Sequence, residues 1–161
     1  MPKSKKTKII LGIDPGIADT GFGIIKVEGN EFKIVTCGSI KTKAHQPTED
    51  RLKIIYQDIQ TLIKKYKPAT AGVEQLFFAK NAKTAMVVGQ ARGVIMLTLA
   101  QANLSIKEFT PLQVKIGLTG YGQASKKQIQ EVVKTILKLK TVPKPDDAAD
   151  ALAIAICAAN I

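Results

Sequence analysis

The chain has no tryptophan, a single histidine, His45, and two cysteines, Cys37 and Cys157. One imidazole is too few for a histidine-based zinc site, and it leaves a Ser–His–Asp triad improbable. Both cysteines sit in apolar segments without CxxC spacing, so they read as buried free thiols in a reducing cytoplasm. Long apolar runs are missing as well. IILGI stops at Asp14, too early for a signal peptide, and LAIAICAANI is too short to span a bilayer. The expectation is a soluble, cytoplasmic protein with no membrane partner.

Acids are scarce too: 13 Asp and Glu stand against 24 Lys and Arg, a formal net charge of +11. Such an excess points to a polyanionic partner, nucleic acid first and an anionic membrane second. With 45% hydrophobic and 23% charged residues the composition is that of a folded protein. A length of 161 residues suits one domain, 1–161, with a sizeable core.

What is present falls into periodic segments. KIILGID (8–14) is a short apolar run closed by Pro15-Gly16, the pattern of a buried strand. GFGIIKV and FKIVTCGSI, joined by the turn-like E-G-N-E, predict an antiparallel meander. From Thr48 to Tyr66, apolar residues recur at threes and fours (Leu52, Ile55, Ile59, Leu62, Ile63), predicting an amphipathic helix that stops before Pro68. ATAGVEQL predicts a strand, Asn81 to Asn103 a long helix, and SIKEFT a fifth strand. A glycine-rich loop, GLTGYGQA, leads to Ser125-x-x-Gln128, a capping box that opens a helix through Leu139. PKPDDAAD then heads an alanine-rich last helix. Three strands followed by alternating helices and strands predict an α/β fold, a five-stranded mixed sheet flanked by helices on both faces.

Most of the acids lie in turns, first helical turns or polar faces, where solvation or local pairing accounts for them. Asp19, just after Pro15-Gly16, reads as a turn residue. Asp14 and Glu74 are different, because each ends an apolar strand. As parallel neighbours ~4.8 Å apart, those strands would bring both carboxylates to the carboxyl edge of the sheet, where open α/β sheets bind ligands. Asp146, Asp147 and Asp150 gather at the head of the last helix. Acids in a first turn gain only ~0.3–1 kcal/mol each from the helix dipole. Either Asp146 or Asp147 can share a face with Asp150, since both spacings place side chains together. Clustered carboxylates repel unless protons or a cation neutralise them. An all-oxygen donor set without Cys or His suits Mg²⁺ or Mn²⁺. Two such ions ~3.5–4 Å apart drive in-line phosphodiester hydrolysis, and a basic surface would hold the nucleic-acid backbone. Lys115, Lys126 and Lys127 flank the glycine-rich loop and are candidate phosphate contacts, although any one of them alone is an ordinary solvated lysine. QLFFAKN, directly after Glu74, contributes Phe77 and Phe78 as candidates for stacking on an unpaired base, with Lys80 close by.

Taken in order, LGIDPG, TGFG, VEQLFFAKN, GQARG, QVK, GQASKKQIQ and DAADALAIAI resemble the RuvC family of Holliday-junction resolving endonucleases over nearly the whole chain. The resemblance implies an RNase H-like fold and a homodimer that nicks opposed strands of four-way junction DNA. It also implies Mg²⁺, two ions per active site, with Mn²⁺ able to substitute. By motif, the catalytic and metal-binding acids fall on Asp14, Glu74, Asp147 and Asp150, so the resemblance prefers Asp147 to Asp146. Phe77 matches the base-stacking aromatic. Lys115 and Lys126 match positions that support phosphate binding and catalysis, and Lys80 and Lys127 complete the DNA-binding set. The implied products are 5′-phosphate and 3′-hydroxyl ends, made in recombination and repair beside a branch-migration motor complex. Some members carry an acid where this chain has Ser125, so the loop departs there.

Three readings compete. An RNA-processing nuclease of the YqgF type shares the fold, but QVK and VEQLFFAKN count against it. A junction-shape reader that does not cut would keep the lysines and Phe77 without needing four acids. An actin-like ATPase also opens with G-I-D-x-G, yet requires two lobes, and 161 residues supply about one.

Overall fold

The computed structural model describes residues 6–75 and 82–160. β1 (Thr7–Asp14), β2 (Asp19–Glu28) and β3 (Glu31–Lys41) form the antiparallel meander. Gly29, with φ at 65°, supplies the left-handed residue that the tight β2–β3 turn needs. The chain then crosses through α1 (Thr48–Tyr66) to β4 (Thr70–Glu74), parallel to β1. It crosses again through α2 (Ala82–Gln101) to β5 (Ser105–Phe109), parallel to β4. The sheet order is β3-β2-β1-β4-β5. α3 (Pro111–Thr119), α4 (Lys126–Ile136) and α5 (Asp146–Ala159) complete the described elements.

Two elements differ from the sequence expectation. The GLT of the glycine-rich stretch is not loop but the end of α3. Thr110 and Gln113 form a reciprocal capping box with proline in the first turn, and the helix stops at Gly120 in the left-handed region. α4 ends at Ile136 instead of Leu139, although Leu137 is buried and Leu139 packs on the same core. The predicted capping box at Ser125 and Gln128 is present.

Strand alternation decides which face each end residue serves. Leu11 and Ile13 of β1 pack with Ile55 and Ile59 of α1 and Ala91, Ile95 and Leu99 of α2. Ile10 belongs to the opposite core, with Leu152, Ile154 and Ile156 of α5. Gly12 shares the face of Ile10, and a Cβ there would stand 2.0 Å from the Ala151 carbonyl oxygen. Asp14, next in that series, is directed toward α5. β4 repeats the rule, since Ala71 and Val73 face α1 and α2 and Glu74 falls on the other side. α5 is buried from Ala148 to Ala158 apart from Asp150. Its alanines let the helix axis come close to the sheet, and α3 and α4 cover its back. Cys157 lies in this core, but Cys37 is only partly buried because β3 is an edge strand with less cover than the centre. Among the described residues no helix is long and apolar enough to cross a membrane.

Candidate active site

The strand parity of β1 and the first turn of α5 lead to one place. Asp14, Asp147 and Asp150 each offer a carboxylate oxygen, and these atoms lie within 4.8 Å of one another. Asp147 and Asp150 reach the same point because residues three apart share a helix face. Gly21 permits the close approach. It pairs with Asp14 in the β1–β2 register, and a Cβ on it would meet the Asp147 carbonyl oxygen at 2.1 Å. The start of α5 thus rests on the bare backbone of β2. Glu74 arrives from the parallel neighbour β4, and its carboxyl shares a hydrogen bond with that of Asp14. Asp146 stands outside the group of three and turns toward α4.

Partly buried carboxylates this close cannot all be ionised without a counter-charge. Burial, first, and then the hydrogen bond and charge of Glu74 push the Asp14 carboxyl up to about 9, with Asp150 and Asp147 adding to the effect. These surroundings favour the protonated form of Asp14 when no cation is present. Burial also pushes Asp150 up to about 6, against the pull of Lys126 and with the help of Glu74, Asp147 and Asp146. A divalent cation would relieve both shifts. The donors are oxygen alone, and that hardness fits an ion of the Mg²⁺ kind.

A groove runs from these acids between α3, α4 and α5, lined by Glu74, Lys115, Lys126 and Asp150 over a floor of Val114 and Ile129. The two ammonium groups balance the two carboxylates, so a divalent cation on the acids would leave the groove net positive and able to receive a polyanion. The Lys126 ammonium lies 3.3 Å from Asp146 and 3.8 Å from Asp150. Burial opposes its charge, but Asp150, Asp146 and Asp147 prevail and raise its pKa. Lys127 is not brought to this groove; it lines a separate depression with Tyr121, Gln128 and Glu131. Phe77 and Lys80 lie outside the described residues. Asp19 is paired locally, 3.0 Å from Lys41 and accepting a hydrogen bond from Ser39.

Arg92, within GQARG, is a residue absent from the site expected on sequence grounds. Its Nε donates to the Glu74 carbonyl oxygen at 3.2 Å, and its guanidinium pairs with Glu108 at 2.8 Å. α2 is thereby tied to the ends of β4 and β5, fixing the backbone from which Glu74 projects. The available signal was an arginine inside a largely apolar helix, a position seldom left unpaired.

A mixed sheet carrying acids at the ends of two adjacent central strands, joined by acids from the last helix, defines a class: metal-dependent nucleases of the RNase H-like fold. The family model described as crossover junction endodeoxyribonuclease RuvC matches residues 10–158, and the chain belongs to that family. It is 56% identical to the RuvC protein of Alkaliphilus oremlandii over 152 residues, which is 94% of this chain and 93% of the relative. The RuvC protein of Natranaerobius thermophilus is 55% identical over 149 residues, 92% of each chain. Thermus thermophilus RuvC in complex with a Holliday junction substrate has the same fold, with a TM-score of 0.90 at 32% identity, covering 94% of this chain and 93% of that one.

Proposed function

We propose that this chain resolves four-way DNA junctions by paired, symmetric nicks that leave 5′-phosphate and 3′-hydroxyl ends, in recombination and repair. The convergence of Asp14, Asp147 and Asp150 at the sheet edge, beside a groove holding Lys115 and Lys126, carries this reading. Asp14, Glu74, Asp147 and Asp150 are the residues that would hold Mg²⁺, two ions per site, with Mn²⁺ substituting. Bound there, the metal would supply Lewis acidity toward an attacking water and toward the leaving oxygen of an in-line displacement.

The chain's own groups do the rest. Filling the site would favour ionised Asp14, its proton passing to solvent, and Arg92 holds the Glu74 backbone still through the Nε–carbonyl bond. Lys115 and Lys126 hold the scissile phosphate in the groove and offset the charge that grows on it. Lys80 and Lys127 take flanking phosphates, and Phe77 stacks on a base at the branch point. A two-fold pair of such sites would cut opposed strands. The exposed face of α2 supports a homodimer: Met86 is 70% and Leu97 57% exposed, and a Cβ on Gly93 between them would touch nothing within 4 Å. Met86, Gly93 and Leu97 share a helix face, and apolar exposure of this kind marks an interface. The family resemblance supports a single nuclease domain, 1–161, working in the cytoplasm with a branch-migration motor.

The test is strand cleavage of an end-labelled, branch-migrating four-way junction, with linear duplex and hairpin RNA alongside, in Mg²⁺, Ca²⁺ or EDTA. Paired nicks in the junction alone, lost in EDTA and in Asp147→Asn, are expected. Junction binding without cutting in any metal would make the chain a shape reader, and cleavage of the RNA would make it an RNA nuclease.

A further inference from the structure

Asp146 is the first residue of α5, next to Asp147, yet its side chain is 68% exposed and outside the carboxylate group. Both of its oxygens are engaged by α4. The Lys126 ammonium lies 3.3 Å from Oδ2, and Gln130 Nε2 donates to Oδ1 at 3.4 Å. Lys126 and Gln130 are four residues apart, so one face of α4 presents both groups to the same carboxylate. The ammonium is also 3.8 Å from Asp150 Oδ2, at the edge of ion pairing. Lysine carries its charge on a flexible four-carbon stem, and if Asp146 lost its charge the nearest anion to receive it would be Asp150.

We infer that Asp146 is a positioning residue that tethers Lys126 at the rim of the site and so keeps Asp150 available to the divalent cation. The inference rests on the metal site proposed above and deepens it. An ammonium that settles on Asp150 neutralises a charge that a cation needs and blocks one of its oxygen donors. Held at the rim, the same ammonium stays within reach of a phosphate entering the groove. Asp146 also adds negative charge at the helix start, but that effect does not depend on what Lys126 does.

This difference sets the experiment. Mn²⁺ binding to the DNA-free protein is titrated by the electron paramagnetic resonance of free Mn²⁺, for wild type, Asp146→Asn, Lys126→Ala and the double variant. Removing the tether weakens Mn²⁺ binding by about fivefold when Lys126 is present, the scale of one partly exposed ion pair. In the Lys126→Ala background the same change weakens it less than about twofold, the screened effect of the charge alone. Equal weakening in both backgrounds, or none in either, overturns the tether. Asp147→Asn serves as the control for the site itself. If that variant binds Mn²⁺ as tightly as wild type, the carboxylate cluster is not the metal site, and the inference falls with it. A merely structural role for Asp146 would move the unfolding midpoint without any dependence on Lys126.

Discussion

Replacing Gly21 with alanine adds one methyl group and tests how the cluster is built. The new Cβ would lie 2.1 Å from the Asp147 carbonyl oxygen, 2.6 Å from its carbonyl carbon and 2.9 Å from its Cβ. Non-bonded carbon and oxygen settle no closer than ~3.2 Å, so β2 and the start of α5 must part by roughly 1 Å. Overpacking of this size costs about 1–3 kcal/mol of stability, which a protein of this length survives. The effect on catalysis is larger, because a ~1 Å misplacement of catalytic groups lowers rates by about 10²-fold. Gly23→Ala is the control, since its Cβ would meet the Leu152 side chain at 2.7 Å and Leu152 N at 2.9 Å, past the residues that carry the carboxylates. The assay is single-turnover cleavage of a four-way junction at saturating Mg²⁺, set beside thermal unfolding of both variants. Gly21→Ala meets backbone and should lose more stability than Gly23→Ala, whose nearest neighbour is a movable Leu152 side chain. With both variants folded at the assay temperature, Gly21→Ala loses the larger share of the rate. A folded Gly21→Ala that cleaves at the wild-type rate would refute the argument that this glycine sets the carboxylate spacing, and so would equal rate losses in the two.

Three further outcomes follow from the same geometry. Asp14 holds its proton more tightly when folded than when unfolded, so its contribution to stability is lost as pH rises from about 4 toward 9 in metal-free protein. In EDTA, Asp14→Asn should therefore melt above wild type at pH 8, the gap closing by pH 5, and Mg²⁺ should raise the wild-type midpoint more at pH 8; a wild type at least as stable as the variant at pH 8 in EDTA would contradict the assigned shift. Arg92→Ala removes the Nε–carbonyl bond at Glu74 and the pair with Glu108, and should cost about 1–3 kcal/mol in denaturant melts together with a fall in cleavage rate. Leu97→Glu places a charge on the exposed face of α2, and sedimentation should show monomers whose junction nicks are no longer paired, whereas a dimer that persists would move the interface elsewhere.

How much of this could be read from the sequence follows from the range of each interaction. Asp14 and Glu74 stood out because an acid closing an apolar strand breaks a local pattern, while the face each takes is seen only in the packing of α5 on one side of the sheet and of α1 and α2 on the other. Their meeting needed one non-local fact, the parallel pairing of β1 with β4, which the crossover through α1 supplies. α3 escaped notice although T-P-L-Q carries the same capping logic as the box at Ser125. Gly117 and Gly120 argued for loop, and Val114, its one buried residue, gains its cover from the packing of α3 beside α5. The choice between Asp146 and Asp147 turns on ~100° of helix rotation, a quantity no local spacing contains. Rotation is set where α5 lies on β1 and β2, because Gly12 and Gly21 bring the line of Asp147, Ala151 and Ala155 closest to the sheet backbone. With that line in place Asp147 is turned in toward Asp14, and its neighbour is turned out to meet Lys126 and Gln130. One glycine-bounded contact thus separates a carboxylate of the cluster from one that binds a lysine, although the two are adjacent in the chain and identical in chemistry.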